Sequence, residues 1–385
     1  MGEPLRLGIA GFGNAGSAVW HDLKSMTDVV LSAAADLRGD AFEPLRQNNR
    51  AVRTFGSVEE MCAWRGVDAI WIATPNEFHA AHAIAAAQNG KHLVCEKPMA
   101  LSLAECDRMI EAAEKNRVRL LMHSKASDPP VAKMGEVVAS GRLGRVIQIS
   151  TWNYKGWLRS PRLPSEVDSA RGGGVVYRQG PHQVDIVRWI GGGMVRSVRA
   201  RTGKWHPRLD TEGNFSAFLE FDDGTPACLV FNGYGFFDIT EWTWGIGEGG
   251  TEVSRRPRPG SSAGGPVDEA QRYSGLNRSE RARRQGARKQ PFYGLTLVSC
   301  EKGDMRQSPE GLYLYTEEGR EEVACPPYLG RGAELLELYE AVTRDRPVFT
   351  DGRWGMATLE VILAILESSR QGREIFLSHQ VPSRL

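Results

Sequence analysis

The chain has 385 residues, a hydrophobic fraction of 41% and a formal net charge of +1 at pH 7. This length suits two domains, and the balanced charge gives no overall bias toward nucleic acid, a membrane surface or acidic partners. The six cysteines show no Cys-x-x-Cys spacing, which predicts reduced thiols in a cytoplasmic protein. We also predict no signal peptide, no membrane span and no metal site.

Residues 1–124 predict alternating strands and helices. Nearly continuous apolar runs mark the strands, as expected when helices cover both faces of a parallel sheet. Ser57 and Ser102 each begin a helix with a capping-box pattern, and Gly90 suits the end of an alanine-rich helix. These signals predict a doubly wound α/β dinucleotide-binding (Rossmann) domain over residues 1–124. The predicted strands are 5–10, 29–35, 52–55, 68–73, 92–96 and 119–123.

Residues 125–385 follow a different pattern. A helix near 131–140 and a strand over 146–154 precede a glycine turn at 172–174, which leads into a helix over 179–190. Strands then come in hairpin order, with Asp223-Gly224 as one turn. We predict an α+β domain with a largely antiparallel, open sheet. Its further predicted strands are 195–202, 214–222, 227–233, 294–301, 311–316 and 321–324, and its closing helices are 333–343 and 357–370.

A basic segment stands apart at residues 248–290. Residues 255–290 contain ten Arg or Lys residues, three Asp or Glu residues and few apolar side chains. We interpret it as a flexible, solvated insertion. An inter-subunit arm and a lid over an anionic substrate stay open as alternatives. Nucleic-acid binding is least favoured, because the segment has one aromatic residue before Phe292.

The motif Gly11-Phe12-Gly13-Asn14-Ala15-Gly16 follows the first strand and opens a helix. Its glycines allow a tight turn, a close backbone approach to a pyrophosphate, and close packing of the helix whose N-terminus faces the phosphates. Asp36 ends the second strand near the spacing expected for the acid that binds the adenosine ribose, and Leu37 follows it. Asp36 favours NAD, whereas Arg38 could weaken that preference and admit NADP. The alternative is a structural turn without a ligand.

Two further loops follow strand ends, where ligands bind in such sheets. One is Ala73-Thr74-Pro75-Asn76 with His79, and the other is Glu96-Lys97-Pro98. A partly desolvated Lys97 near a positive nicotinamide would have a lowered pKa, suited to proton transfer near neutral pH. A capped helix start would also explain Thr74 and Pro75, and Lys97 read alone could be a surface residue.

His182 lies on the helix after the glycine turn. Asp185 could orient its imidazole or could instead pair with Arg188, because both are three residues away on one helix face. A lone histidine is more often structural than catalytic.

With these motifs, the chain resembles the Gfo/Idh/MocA oxidoreductases. That family places a Rossmann domain before an α/β domain whose open sheet commonly forms the oligomer interface. The resemblance implies an NAD(P) cofactor, Lys97 and His182 as the catalytic pair, Glu96 near the nicotinamide ribose, and a homo-oligomer (dimer or tetramer) formed through the sheet of the C-terminal domain.

One position departs from many sugar- and polyol-oxidising members, which carry an aspartate four residues before this histidine. Here the residue is Arg178, which cannot act as a base but can bind a carboxylate through two hydrogen bonds. We therefore expect an anionic cyclic substrate, although a surface arginine is the alternative. The predicted substrate-binding residues are Lys125, Asn153, Tyr154, Arg159, Arg162, Arg178 and His182.

Three stretches, 172–188, 297–304 and 351–361, resemble a branch of the family whose substrate is a ring cis-diol bearing carboxylates, of the phthalate 4,5-cis-dihydrodiol type. The resemblance implies an NAD(P)-dependent dehydrogenase of aromatic catabolism that yields a catechol. Two alternatives stay open: a dehydrogenase of a sugar, polyol or glycoside, and a non-catalytic NAD-responsive regulator or binding protein.

Overall fold

A computed structural model of the chain describes residues 3–48, 51–253 and 288–384. The chain divides into two compact units, one comprising Met1–His123 with Leu329–Leu359, the other Ser124–Tyr328 with Glu360–Leu385. Most of the predicted basic insertion, residues 254–287, lies outside the described residues. No helix within the described ranges is long and apolar enough to cross a membrane.

The first part of the chain alternates strands and helices as predicted. Its elements are β1 (Leu5–Ala10), α1 (Asn14–Leu23), β2 (Val29–Ala35), α2 (Glu43–Asn48), β3 (Arg53–Phe55), α3 (Val58–Ala63), β4 (Ala69–Ile72), α4 (His79–Gln88), β5 (His92–Cys95), α5 (Leu103–Lys115) and β6 (Leu120–Met122). The strands form one parallel sheet in the order β3-β2-β1-β4-β5-β6. The strand order reverses between β1 and β4, so the predicted doubly wound fold is confirmed.

The remaining elements, in chain order, are α6 (Pro129–Ala139), β7 (Val146–Tyr154), α7 (Gly174–Ile190), β8 (Val195–Gly203), β9 (Asn214–Phe221), β10 (Pro226–Asn232), β11 (Leu295–Cys300), β12 (Gly303–Gln307), β13 (Gly311–Thr316), β14 (Gly319–Ala324), α8 (Gly332–Thr343), α9 (Gly352–Gln371) and β15 (Ile375–Phe376). The strands of this part form a sheet in the order β14-β13-β12-β11-β7-β10-β9-β8-β15. Neighbouring strands are antiparallel except β7 and β10. The prediction of a largely antiparallel sheet is confirmed.

A buried side-chain amide on helix α7 hydrogen-bonds to the strands of this sheet. Gln183 donates from Nε2 to the carbonyl oxygens of Thr151 (3.3 Å) and Val230 (3.2 Å). Fourteen other residues of α7 are also buried, so the helix is a core element rather than a surface one. Its position is therefore set by the strands beneath it.

The first unit includes a segment that is distant in the sequence. Leu335 and Leu338 of α8 are fully buried in the cluster that holds Leu7 and Trp71 of the parallel sheet. Burial of these leucines explains why Leu329–Leu359 belongs to the first unit, whereas the sequence analysis placed it in a second domain running to residue 385.

Candidate cofactor and substrate sites

The glycine loop is shaped by the close approach of β1 and β4. Gly11 has φ +86°, and a Cβ atom there would lie 2.6 Å from the carbonyl oxygen of Ala73. Gly13 is the N-cap residue of the ten-residue helix α1 and, having no side chain, makes no capping hydrogen bond. This N-terminus fits the phosphates of a dinucleotide.

Asp36 ties the end of β2 to this loop. Its Oδ2 accepts from the backbone N–H of Phe12 (2.8 Å), and its Oδ1 accepts from the backbone N–H of Arg38 (2.9 Å). The Arg38 guanidinium also pairs with the carboxylate, with Nε 3.3 Å from Oδ1. An acceptor for ribose hydroxyls is thus in place, but its charge is offset by Arg38. Leu37 is 90% exposed.

His79 joins the two loops that follow β4 and β5. Its Nδ1 lies 2.8 Å from the carbonyl oxygen of Pro98, and its Nε2 lies 2.9 Å from that of Thr74. The side chain is buried, and burial lowers the pKa of His79 despite these carbonyl contacts. His79 therefore sets the spacing of the loops that carry Thr74 and Lys97. The Thr74 hydroxyl meets His82 Nδ1 at 2.9 Å.

Glu96 is a buried carboxylate next to the half-buried Lys97. Its Oε1 accepts from both Nε (3.0 Å) and Nη2 (2.9 Å) of Arg331. Burial raises the pKa of Glu96, but the charges of His123, Arg331 and Lys97 together hold it far below its usual range. The sequence analysis missed Arg331, since no spacing pattern links residues so far apart in the chain.

In the second unit, the glycine turn is filled by a carboxylate. Glu212 Oε1 accepts from the backbone N–H of Val176 (3.2 Å), and Oε2 accepts from the Ser169 hydroxyl (2.9 Å). A Cβ atom on Gly174 would lie 2.0 Å from Glu212 Oε1. Glu212 therefore caps α7, which begins at Gly174 rather than at the predicted residue 179.

His182 is buried on α7 beside an aromatic ring. The centroids of His182 and Tyr293 are 4.5 Å apart, and the Tyr293 hydroxyl donates to the carbonyl oxygen of Gln179 (2.9 Å). Burial raises the pKa of Tyr293 well above its usual value. Asp185 accepts a hydrogen bond from the Ser124 hydroxyl at 2.7 Å. Tyr293 was not among the predicted site residues.

Two of the predicted cationic residues converge on a buried carboxylate. Arg178 donates from Nη2 to Glu166 Oε1 (3.1 Å), and Arg162 Nη1 lies 3.6 Å from the same oxygen. Arg162 also donates from Nε and Nη2 to the carbonyl oxygen of Trp157, at 3.0 and 2.9 Å. Arg178 is the more accessible, with 28% of its side chain exposed against 11% for Arg162. Glu166 was missed, although its position four residues after Arg162 was a usable signal.

The other two predicted cations have different partners. Lys125 is buried and pairs with Asp128 at 3.0 Å. Burial lowers the pKa of Lys125, but the charges of Asp128 and its neighbours outweigh burial and raise it, so the ammonium is retained. Arg159 donates from Nε to the carbonyl oxygen of Tyr234 at 2.7 Å.

Asn153 and Tyr154 end strand β7. Asn153 is buried opposite Phe231 of β10, and the ring of Tyr154 contacts that of Phe237 with centroids 5.6 Å apart. Whether any of these residues touches a substrate stays a prediction. Among the described side chains, no cluster of His, Cys, Asp and Glu could hold a metal ion.

Comparison with known proteins agrees with this geometry. Residues 5–124 match the family model described as an oxidoreductase family with an NAD-binding Rossmann fold, and residues 131–238 match the GFO/IDH/MocA C-terminal domain. A 1-carboxy-3-chloro-3,4-dihydroxycyclohexa-1,5-diene dehydrogenase from Comamonas testosteroni is 31% identical over 95% of this chain and 95% of its own length. A myo-inositol 2-dehydrogenase from Thermotoga maritima is 30% identical, over 51% of this chain and 58% of its own length.

A solved structure gives the same result for the fold. The crystal structure of a presumed dehydrogenase from Bordetella bronchiseptica RB50 superposes with a TM-score of 0.87 at 36% identity, covering 97% of this chain and all of the other.

A Rossmann sheet with a glycine loop, an acid directly after β2 and a lysine following β5 defines a dinucleotide-dependent oxidoreductase. The chain belongs to the Gfo/Idh/MocA family of oxidoreductases, and its cofactor is NAD. It is therefore an enzyme, and the alternative of a non-catalytic regulator is set aside.

Proposed function

We propose that this enzyme oxidises a carboxylated ring cis-diol, of the phthalate 4,5-cis-dihydrodiol type, to a catechol. The observation that carries the proposal is the cluster of Arg162, Arg178 and Glu166, in which two guanidinium groups share one carboxylate. The name of the Comamonas relative, a dehydrogenase of a carboxylated dihydroxycyclohexadiene, supports the same substrate class.

Arg178 is the residue that would bind the substrate carboxylate. Glu166 holds its guanidinium in one orientation, which reduces the entropy lost when an anion binds. A planar guanidinium matches a carboxylate through paired hydrogen bonds, and Arg178 keeps the more exposed guanidinium of the cluster. A neutral polyol would gain little from such a cluster.

Bound NAD supplies the acceptor for the hydride that leaves the hydroxyl-bearing carbon. We assign Lys97 to take the proton of that hydroxyl as the carbonyl bond forms, and His182 as a second proton-transfer group. The ketone formed from a cis-dihydrodiol then moves a hydrogen from the neighbouring ring carbon to oxygen. The product is an aromatic catechol, and aromatisation makes the overall oxidation strongly favourable.

The decisive experiment follows NADH absorbance with purified protein, NAD and four substrates: a carboxylated cis-dihydrodiol, the same diol without a carboxylate, myo-inositol and glucose. We expect turnover of the carboxylated diol. Arg178→Ala should raise its KM about ten- to a hundred-fold, since a charge-assisted contact is worth roughly 1.5–3 kcal/mol, and should change kinetics with the neutral diol little.

The matched control is Arg196→Ala, which removes an exposed arginine from β8 in the same unit. Equal effects of Arg178→Ala on both diols would refute a carboxylate-binding role. Robust turnover of myo-inositol or glucose, with none of the carboxylated diol, would favour the sugar or polyol alternative.

We also propose a homo-oligomer formed through the open face of the nine-stranded sheet. One row across this face runs through Leu297, Ser150, Cys228 and Phe218, and Phe218 is 43% exposed. A row of mostly apolar, partly exposed side chains on a sheet face supports an interface. Light scattering of Phe218→Asp should show smaller assemblies than the parent chain, and an unchanged mass would exclude this face. Cytoplasmic localisation stays a prediction.

A further inference from the structure

An ion pair between Arg331 and Glu96 involves the residue directly before Lys97, the proposed proton acceptor. Arg331 precedes α8, and both its Nε and its Nη2 donate to one oxygen of Glu96, the residue directly before Lys97. Its backbone N–H donates to Asp22 Oδ2 of α1 at 3.1 Å. Arg331 is therefore anchored through its backbone by Asp22, while its guanidinium binds Glu96 from a segment far away in the sequence.

Glu96 and Lys97 interact electrostatically, and the positive charge of Lys97 stabilises the carboxylate. The interaction is reciprocal, because a carboxylate favours the charged form of a neighbouring ammonium. A lysine that must accept a proton near neutral pH works better when a neighbouring carboxylate stabilises its charged form only weakly. Arg331 competes with Lys97 for the same carboxylate.

We propose that Arg331 is a positioning residue for Lys97: by holding the Glu96 carboxylate, it keeps that group from pairing with the adjacent ammonium. The inference rests on the proposed role of Lys97 as the proton acceptor. No sequence motif marks Arg331, and its role follows from its two hydrogen bonds to Glu96.

Two histidines also interact electrostatically with the same carboxylate. His123, after β6, stabilises the Glu96 charge and has its Nδ1 2.8 Å from Glu334 Oε1 of α8. His79 of α4 also interacts with Glu96. Because both histidines can change protonation when Arg331 is replaced, the shift at Lys97 is compared between Arg331→Met and Glu96→Gln, which remove opposite partners of the same ion pair.

The test measures the pKa of Lys97 directly, in protein without cofactor, by competitive labelling with acetic anhydride over a range of pH and mass spectrometry of the peptide. Arg331→Met should raise the pKa of Lys97 by about one unit, because an opposite charge shifts a neighbouring pKa by about 1–3 units. Glu96→Gln should lower it. Arg331→Lys should restore most of the parent value.

The matched control is Arg344→Met, which removes an exposed arginine paired with Glu340 in the last turn of the same helix. It should leave the pKa of Lys97 unchanged. The pH profile of kcat/KM should report the same change in the pKa of Lys97. In Arg331→Met its rising limb should move to higher pH, and kcat/KM below that limb should be about tenfold lower than in the parent enzyme.

Two outcomes separate the hypotheses. An unchanged pKa of Lys97 in folded Arg331→Met overturns the inference, and should that variant not fold, an unchanged pKa in Glu96→Gln overturns it. Failure of the proposed function looks different: Lys97→Ala would keep its turnover, whatever the labelling shows.

Discussion

The Glu212 carboxylate caps α7, and a substitution at Gly174 tests how much this cap stabilises the helix. Gly174 has φ +83°, and its missing side chain leaves room for the Glu212 carboxylate. Gly174→Ala would place a methyl group 2.0 Å from Glu212 Oε1, so the carboxylate must move and leave the first turn of α7 uncapped. Arg178 and His182 lie on that helix.

The expected loss of stability has two parts. A non-glycine residue in the left-handed region costs roughly 1–2 kcal/mol. Loss of a helix cap costs about 0.5–2 kcal/mol more. We therefore expect Gly174→Ala to lower the free energy of unfolding by about 2–4 kcal/mol.

The matched control is Gly192→Ala. Gly192 has φ +84°, and, apart from its chain neighbours, no heavy atom of the described residues lies within 4 Å of the site of its Cβ. It should cost only the conformational part, about 1–2 kcal/mol. Urea unfolding measures both free energies, and KM for a carboxylated diol reports whether Arg178 has moved.

A double-mutant cycle isolates the contact. In a Glu212→Ala background, Gly174→Ala should cost no more than Gly192→Ala does in the parent chain. Equal losses for Gly174→Ala and Gly192→Ala in the parent chain would show that Glu212 is not displaced, and would refute the reasoning.

Three further outcomes are expected. Lys97→Ala should lower kcat about 10²–10⁴-fold while tryptophan fluorescence still reports NAD binding; near-parental turnover would remove Lys97 from the mechanism. Asp36→Ala should narrow the preference for NAD over NADP in kcat/KM, and an unchanged ratio would assign discrimination elsewhere. Glu360 is buried, which raises its pKa, but hydrogen bonds from Ser378 and neighbouring groups outweigh burial and lower it. The unfolded state then binds more protons, so this stabilisation is lost as pH falls below about 4.3, and urea unfolding of Glu360→Gln should show a smaller loss between pH 5 and about pH 3.

The strands and helices of the first 123 residues could largely be predicted from sequence because their signals are local. The buried strands read as apolar runs, and the predicted bounds of the first two strands match β1 and β2. Ser102 forms the predicted capping box with Glu105. Such features depend on residues a few positions apart, so one window of sequence contains all of their causes.

Long-range and irregular features escaped prediction. β12 has the sequence Gly-Asp-Met-Arg-Gln, and only its pairing with β11 and β13 makes it a strand. Glu212 and Arg331 act on residues far away in the chain. Arg159 and Arg162 were predicted as substrate contacts from charge alone, and no periodicity could reveal that backbone carbonyls engage both.

Strand β14 ends the large sheet with the sequence Gly-Arg-Glu-Glu-Val-Ala, and its Arg320, Glu321 and Glu322 are exposed. An outer strand is a template for the uncontrolled addition of further strands, and charged side chains discourage it. At the opposite end, β15 contributes only two residues. Both margins of the sheet are thus poor nuclei for amyloid-like growth, and replacing the three charges by threonine or valine would convert β14 into an aggregation hazard.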